Sequence, residues 1–266
     1  MSNNSYSQLP ARFKKPSIFS FAIYLLVATA IVLSFQGAGF DASFDLKRTL
    51  NSMWIFLSEM FPPNFSRAKQ FTEALWVTLQ MAIAGTVIGV LVSFPLCWLA
   101  AKNFAPNKLL YTLSRGLISL FRTIPDLIWA LFFVITVGLG PLAGTLALVI
   151  DTIGFCGRFF AEAVEEAEPQ PIQGLQALGA NKISTIFCGV LPNVLPSFTN
   201  TSLFSLEKAV RSSVVLGLVG AGGIGIELKV SMDTFRYDEA ATIIIAIFLM
   251  VLVVERLSAW IRGRLL

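Results

Sequence analysis

The chain has 266 residues, of which 55% are hydrophobic and 14% charged, and its mean hydropathy is +0.73. Soluble domains carry about a quarter of their residues as charged ones, so this composition excludes an ordinary water-soluble domain and requires a lipid-facing surface. The net charge is +4 and histidine is absent, which removes the commonest general base and the commonest transition-metal ligand. No catalytic group and no metal site is expected.

Crossing a bilayer takes about 20 mostly apolar residues per helix. Six runs qualify, approximately Ile18 to Phe35, Ala74 to Ala101, Ile124 to Leu139, Leu142 to Phe160, Val194 to Leu218 and Ala240 to Leu257. The fold class is therefore all-α, a polytopic integral membrane protein. The first run follows Arg12, Lys14 and Lys15 but is too long for a signal h-region, and Phe35-Gln36-Gly37 is no small-residue cleavage site, so it reads as a retained helix. Next, Leu46, Leu50, Met53, Trp54 and Leu57 alternate with Asp45, Lys47, Arg48 and Asn51. This pattern predicts an amphipathic helix on the outer membrane surface, a packing collar without a ligand role.

Pro62-Pro63-Asn64 breaks the chain before the second run, whose Gly85 and Gly89 form a small-xxx-small pattern for close helix packing. The leucine-rich stretch Lys108 to Phe121 is either an interfacial helix or the start of the third span. Arg122-Thr123-Ile124-Pro125-Asp126 leads that span, and Gly138, Gly140 and Pro141 make a tight turn into the fourth, a helical hairpin. Glu162, Glu165, Glu166 and Glu168 then lead into a polar loop, about 162–193, in which Ile172, Leu175 and Leu178 recur at every third position and Gly179 can close a helix. That short helix is either a knob for a partner's groove or an ordinary interfacial turn.

Cationic residues collect on cytoplasmic flanks. Placing both termini inside puts Arg12, Lys14, Lys15, Lys102, Lys108, Arg115, Arg122, Arg158, Lys182, Arg256, Arg262 and Arg264 in the cytoplasm, against Lys47, Arg48, Arg67, Lys69, Lys229 and Arg236 outside. The positive charge thus reflects topology and not a nucleic-acid partner. Cys97, Cys156 and Cys188 are isolated and suggest no disulfide framework. Glu207, Lys208 and Arg211 lie in or near the membrane, where charge is costly unless paired or facing water; they form either a structural ion pair or part of a pathway. Gly220 to Gly225 satisfies G-x-G-x-x-G, but a dinucleotide site needs a strand before it. The run reads instead as a re-entrant turn whose backbone N–H groups face a cavity.

From Gln173 to Pro192 the sequence QGLQALGANKISTIFCGVLP resembles the cytoplasmic coupling loop of ATP-binding-cassette (ABC) importer permeases. Their pattern is Glu-Ala-Ala, three residues, Gly, nine residues, Ile, one residue, Leu-Pro. Gly179 and Leu191-Pro192 match in spacing, while Gln173-Gly174-Leu175 replaces the triplet and Gly189 the Ile. Three further stretches, Arg122 to Leu148, Arg211 to Gly225 and Phe235 to Ile245, resemble the phosphonate and phosphite uptake permeases.

The resemblance implies a type I importer permease of about six spans in the bacterial inner membrane. Residues 1–72 would hold the tail, first helix and amphipathic segment, and residues 73–266 the permease domain. It implies a homodimer, two cytoplasmic ATPase subunits that carry the ATP and Mg, and a periplasmic binding protein; the chain itself has no G-x-x-x-x-G-K-[ST] loop and binds no cofactor. Docking would fall to Gln173, Gly174, Leu175, Ala177, Gly179, Leu191 and Pro192. An anion path would use Arg211, with Ser212, Ser213, Glu207 and the backbone at Gly222 and Gly223, while Arg122, Pro125 and Asp126 would serve structure or gating. The rivals are an importer permease for another small solute, such as the amino acid methionine, and a secondary transporter or channel. The latter would not need the Gly179 to Pro192 loop.

Overall fold

The computed structural model describes residues 18–38 and 45–265. Arg12, Lys14 and Lys15, used above for orientation, lie outside the described residues. The chain divides into two compact units, 1–56 and 57–266. In the first, α1 (Ile18–Gly37) is apolar on all sides and buries no residue from Phe19 to Gly37, as expected of a helix whose solvent is lipid. Helix α2 (Leu46–Glu59) starts where Asp45 accepts hydrogen bonds from the Lys47 and Arg48 N–H groups, and it buries no residue.

The second unit is built on α3 (Ala68–Ala100) and α6 (Pro141–Glu165), which share its most extensive interface. Their crossing depends on glycine. A Cβ at Gly85 would stand 2.7 Å from the Leu148 Cβ, and one at Gly89 2.5 Å from the Thr152 Cβ. The small-xxx-small pattern of the second run is therefore used for close packing.

The third run differs from expectation. Helix α4 (Lys108–Thr123) is a separate amphipathic helix and α5 (Asp126–Val137) follows at 90°. Pro125 disfavours helical backbone at Ile124, which is extended, and so the rod bends there. Twelve residues rise only about 18 Å, short of the roughly 30 Å hydrocarbon core, so α5 spans only together with α4. Gly138 and Gly140, both at positive φ, turn the chain into α6, and Pro141 opens that helix.

After the loop, α9 (Leu191–Leu218) leads through a glycine turn to α10 (Ile224–Asp233) and α11 (Tyr237–Leu265). Among the described residues, α1, α3, α6 and α11 are each long and apolar enough to cross, and α4 with α5 reaches that length and apolarity only as a bent pair, a broken span or a re-entrant loop. The fifth expected run, α9, is 28 residues long but falls short on composition, because Asn193, Asn200 and several Ser and Thr residues lower the hydropathy of its first half and Glu207, Lys208 and Arg211 sit in its second.

Replacing Gly89 with Leu should lower the unfolding midpoint of the purified protein by the equivalent of about 1–3 kcal/mol through overpacking. Gly116→Leu, on α4 with nothing within 4 Å of its would-be Cβ, should leave the midpoint unchanged. Equal effects would disprove the crossing role.

Candidate functional site

The polar loop opens with α7 (Pro169–Ala177), with proline in its first turn, where the missing N–H costs no helical hydrogen bond. It closes as predicted at Gly179. The Gly179 N–H donates to the Gln176 carbonyl at 3.0 Å and the Ala180 N–H to the Leu175 carbonyl at 3.0 Å, with Gly179 at φ +81°. This is the paired Schellman closure, which favours glycine at that position. Asn181 then caps α8 (Lys182–Thr185) by accepting from the Ser184 N–H at 2.8 Å. A π-turn at Ile186–Val190 joins α8 to α9. Pro192 has no N–H to give the Cys188 carbonyl, so regular α-helical bonding is interrupted there.

Helix α7 lies on this π-turn through its apolar side. Ile172 packs into the core beneath the loop, and a Cβ at Gly189 would come 2.9 Å from Leu175 Cδ1. The permease pattern has a small residue at 175 and Ile at 189; here the sizes are exchanged, so Leu175 fills the space an Ile would take. The outward residues are Gln173, Gly174 and Ala177, joined by Leu178, Ile183 and Phe187, which are 85%, 67% and 57% exposed. Of the apolar set read at every third position, only Leu178 faces outward, since Ile172 and Leu175 turn in; Ile183 and Phe187 were missed, and their signal is apolarity within a polar loop. Gln173 also lines a cavity of about 560 Å³ with Asn103, Glu165 and Lys182.

Glu165 anchors the loop at the end of α6. Its Oε1 accepts from the Lys102 N–H at 2.7 Å and from Arg115 Nη2 at 2.7 Å, so one carboxylate ties the ends of α3 and α6 to the middle of α4.

The charges of α9 are all paired, each to another helix. Glu207 accepts from Arg262 of α11 at 2.7 Å, Lys208 donates to Asp151 of α6 at 2.7 Å, and Arg211 donates to Glu255 of α11 at 2.6 Å. Glu207 is buried and its partner Arg262 half-buried, whereas the Arg211 and Glu255 side chains are 45% and 47% exposed. Of the three pairs, only this last one is open at both members. Ser212 is half-buried beside it. Ser213 is fully buried and donates to the Val210 carbonyl of its own helix, so it supplies no pathway hydroxyl.

Two further expectations are corrected. The glycine run packs tightly and does not cradle a ligand: a Cβ at Gly222 would stand 2.8 Å from the Pro141 nitrogen, one at Gly223 would collide with the Thr78 hydroxyl, and the Ile224 N–H already donates to that hydroxyl at 2.8 Å. No strand precedes the run among the described residues, so the dinucleotide motif lacks its context as well. Arg122 and Asp126 form no ion pair. Pro125 sits at the 90° bend, Asp126 accepts from the Leu127 N–H at 2.9 Å in the first turn of α5, and Arg122 ends α4.

Residues 93–265 match the family model of the binding-protein-dependent transport system inner membrane component. The chain belongs to this family. It is a multi-pass inner-membrane permease subunit of an ABC importer, a transport component working with an ATPase and a substrate-binding protein. The permease is 42% identical over 219 residues to the phosphate-import permease protein PhnE of Mycolicibacterium smegmatis, covering 80% of this chain and 41% of that protein's length. It is 37% identical over 237 residues to the phosphite transport system permease protein PtxC of Stutzerimonas stutzeri, covering 89% of this chain and 86% of that one. Its fold is similar to that of an inward-facing MetNI methionine ABC transporter chain, with a TM-score of 0.67 at 22% identity, over 76% of this chain and 98% of that one.

Arg262→Ala should destabilise the permease because it leaves the buried Glu207 carboxylate unpaired. Breaking a buried pair on one side costs about 3–5 kcal/mol, and the partial exposure of Arg262 puts this case at the lower end. Adding Glu207→Gln in the same chain should recover most of the loss, read as the thermal midpoint. No recovery would mean that Arg262 acts through packing alone.

Proposed function

We propose that this permease carries phosphonate, phosphite or a related phosphorus oxyanion into the cell by alternating access. It would work as a homodimer docked to two cytoplasmic ATPase subunits and fed by a periplasmic binding protein. Both termini and the α7–α8 loop face the cytoplasm, ATP and Mg reside on the ATPases, and residues 73–266 form the permease domain. The observation that carries this reading is the loop: a short helix closed at Gly179 that presents exposed Leu178, Ile183 and Phe187. Apolar side chains held outside the spanning helices suit a partner's groove. The substrate class is supported by relatives named for phosphate and phosphite.

Docking falls to Gln173, Gly174, Ala177 and Gly179 together with those three side chains. Leu175 supports them from within, and Leu191-Pro192 transmit movement into α9. ATP-driven closure of the ATPases pulls the loop, and Glu165 passes the pull to α3 and α4 through its bonds to the Lys102 N–H and Arg115. On the pathway Arg211 meets the anion, because a guanidinium offers several fixed donors to a phosphorus oxyanion. Glu255 holds that guanidinium in place when no substrate is present.

Uptake of methylphosphonate, 2-aminoethylphosphonate, phosphite, phosphate and methionine should be measured in cells lacking the chain and in cells with it restored. Restored uptake of a phosphorus anion, abolished by Gly179→Arg with membrane abundance unchanged, is the expected result. Restored methionine uptake would instead assign the chain to amino-acid import, and transport indifferent to Gly179→Arg would remove the loop from coupling.

The charge-reversed double variant Arg211→Glu with Glu255→Arg separates two roles. It should keep normal abundance, since the pair is re-formed, yet lose at least about tenfold in uptake as the pathway cation moves to α11. Full uptake in the double variant would make the pair purely structural.

A further inference from the structure

Helices α4 and α6 meet closely on the side of the molecule that bears the coupling loop. A Cβ at Gly154 would stand 2.9 Å from the Arg122 nitrogen, and one at Gly157 3.2 Å from Ile118. This approach brings three arginines around one cavity of about 240 Å³: Arg115 and Arg122 from α4, Arg158 from α6, with Ser119 and Thr123 completing the polar lining. At about 30 Å³ per water molecule, the space holds roughly eight, enough for a tetrahedral oxyanion and its remaining hydration.

The guanidinium groups differ in how they are used. Arg115 spends Nε on the Ala100 carbonyl at 2.7 Å and Nη2 on Glu165 at 2.7 Å. Arg158 spends Nε and Nη2 on Glu162. Each keeps Nη1, with two N–H donors, while its carboxylate holds the plane of the fork. Arg122 has no carboxylate partner among the described residues, and its full set of five donors is uncommitted. Three cations against two carboxylates leave the cavity with a net positive charge. It carries no acidic residue in its lining beyond the two that orient the arginines from outside.

We infer that this cavity is a binding site for a phosphate-type oxyanion, held by Arg122 and by the spare donors of Arg115 and Arg158. Fixed guanidinium forks converging from two helices suit an anion with three or four acceptor oxygens better than a planar carboxylate, which one fork satisfies. The ligand is either a free phosphorus oxyanion or the phosphodiester of a lipid headgroup, which present the same chemistry to the site. It is distinct from the proposed transport pair, because Arg211 and Glu255 lie on α9 and α11. The site adjoins the loop anchor, since Arg115 contributes to both the cavity and the Glu165 cluster. An oxyanion bound there stiffens the join between α4 and α6 at the root of the coupling loop.

The test uses the full-length chain in nanodiscs of phosphatidylcholine, with and without phosphatidylglycerol. Inorganic phosphate binding is followed by calorimetry, and co-purifying lipid by native mass spectrometry. A site for free anion predicts saturable phosphate binding in pure phosphatidylcholine, weakened at least about tenfold in Arg122→Ala and retained in Arg211→Ala. A headgroup site predicts that phosphatidylglycerol is retained by the wild type and by Arg211→Ala and lost from Arg122→Ala, with little binding of free phosphate. Arg122 is exposed, so the variant should fold; an unchanged melting midpoint checks this, and Arg158→Gln provides a second probe of the same cavity. If neither phosphate binding nor lipid retention changes in Arg122→Ala or Arg158→Gln, the proposal is overturned. Because binding is measured without transport, this result is independent of which solute the uptake assay identifies.

Discussion

Charge inside a membrane-sized helix bundle must be neutralised within the bundle, and α9 carries three charged residues within five positions. Each is matched by an opposite charge on a neighbour: Arg262 and Glu255 on α11, Asp151 on α6. An unpaired ion in hydrocarbon costs several kcal/mol, so these pairs fix the rotation of α9 between its neighbours more firmly than apolar packing does. Apolar side chains can slip past one another in lipid at little cost, because lipid is as apolar as they are. The glycine contacts at Gly85, Gly89 and Gly217 then decide how closely the helices approach once the pairs have set which faces meet.

The same economy of space explains how the α7–α8 loop is seated. In the importer pattern the bulky residue, Ile, stands at the position of Gly189 and a small one at the position of Leu175. Here the sizes are reversed, and Leu175 packs over Gly189. The departure from the motif is therefore a compensated exchange that keeps α7 on its support. Leu178 projects outward beside Gly179, where the Schellman closure fixes its direction.

Much of this was readable in advance. Helix positions followed from runs of apolar residues, because lipid exposure imposes apolarity on every face of a spanning helix. The close α3–α6 crossing followed from Gly85 and Gly89, and the end of α7 from Gly179, because only glycine takes positive φ without strain. The partners of the α9 charges were not readable. They lie 44 to 57 residues away in sequence, and which face of a helix meets which depends on rotations that periodicity leaves free. Pro125 marked a break without giving its angle. The glycine run at 220–225 resembled a ligand cradle because its φ values and its lack of side chains suit both uses; only the nearness of Pro141 and Thr78 shows that the space is already filled.

The joints are as informative as the rods. Leu191-Pro192 and Arg211 belong to one continuous helix, so on the transport reading a pull on the loop reaches the pathway arginine along about 30 Å of backbone without crossing a hinge loop. Helix α4, by contrast, is uncoupled from α5 by the bend at Pro125 and is held to α6 by the Arg115–Glu165 pair. On that reading one arm of the loop would drive α9 directly, while the other ends at a bend that would absorb motion. The Arg211–Glu255 pair lies on the driven arm and is half-exposed at both members. On the transport reading it is the pair that an incoming oxyanion would open with least desolvation, while the more enclosed Glu207–Arg262 pair would keep α9 and α11 in register.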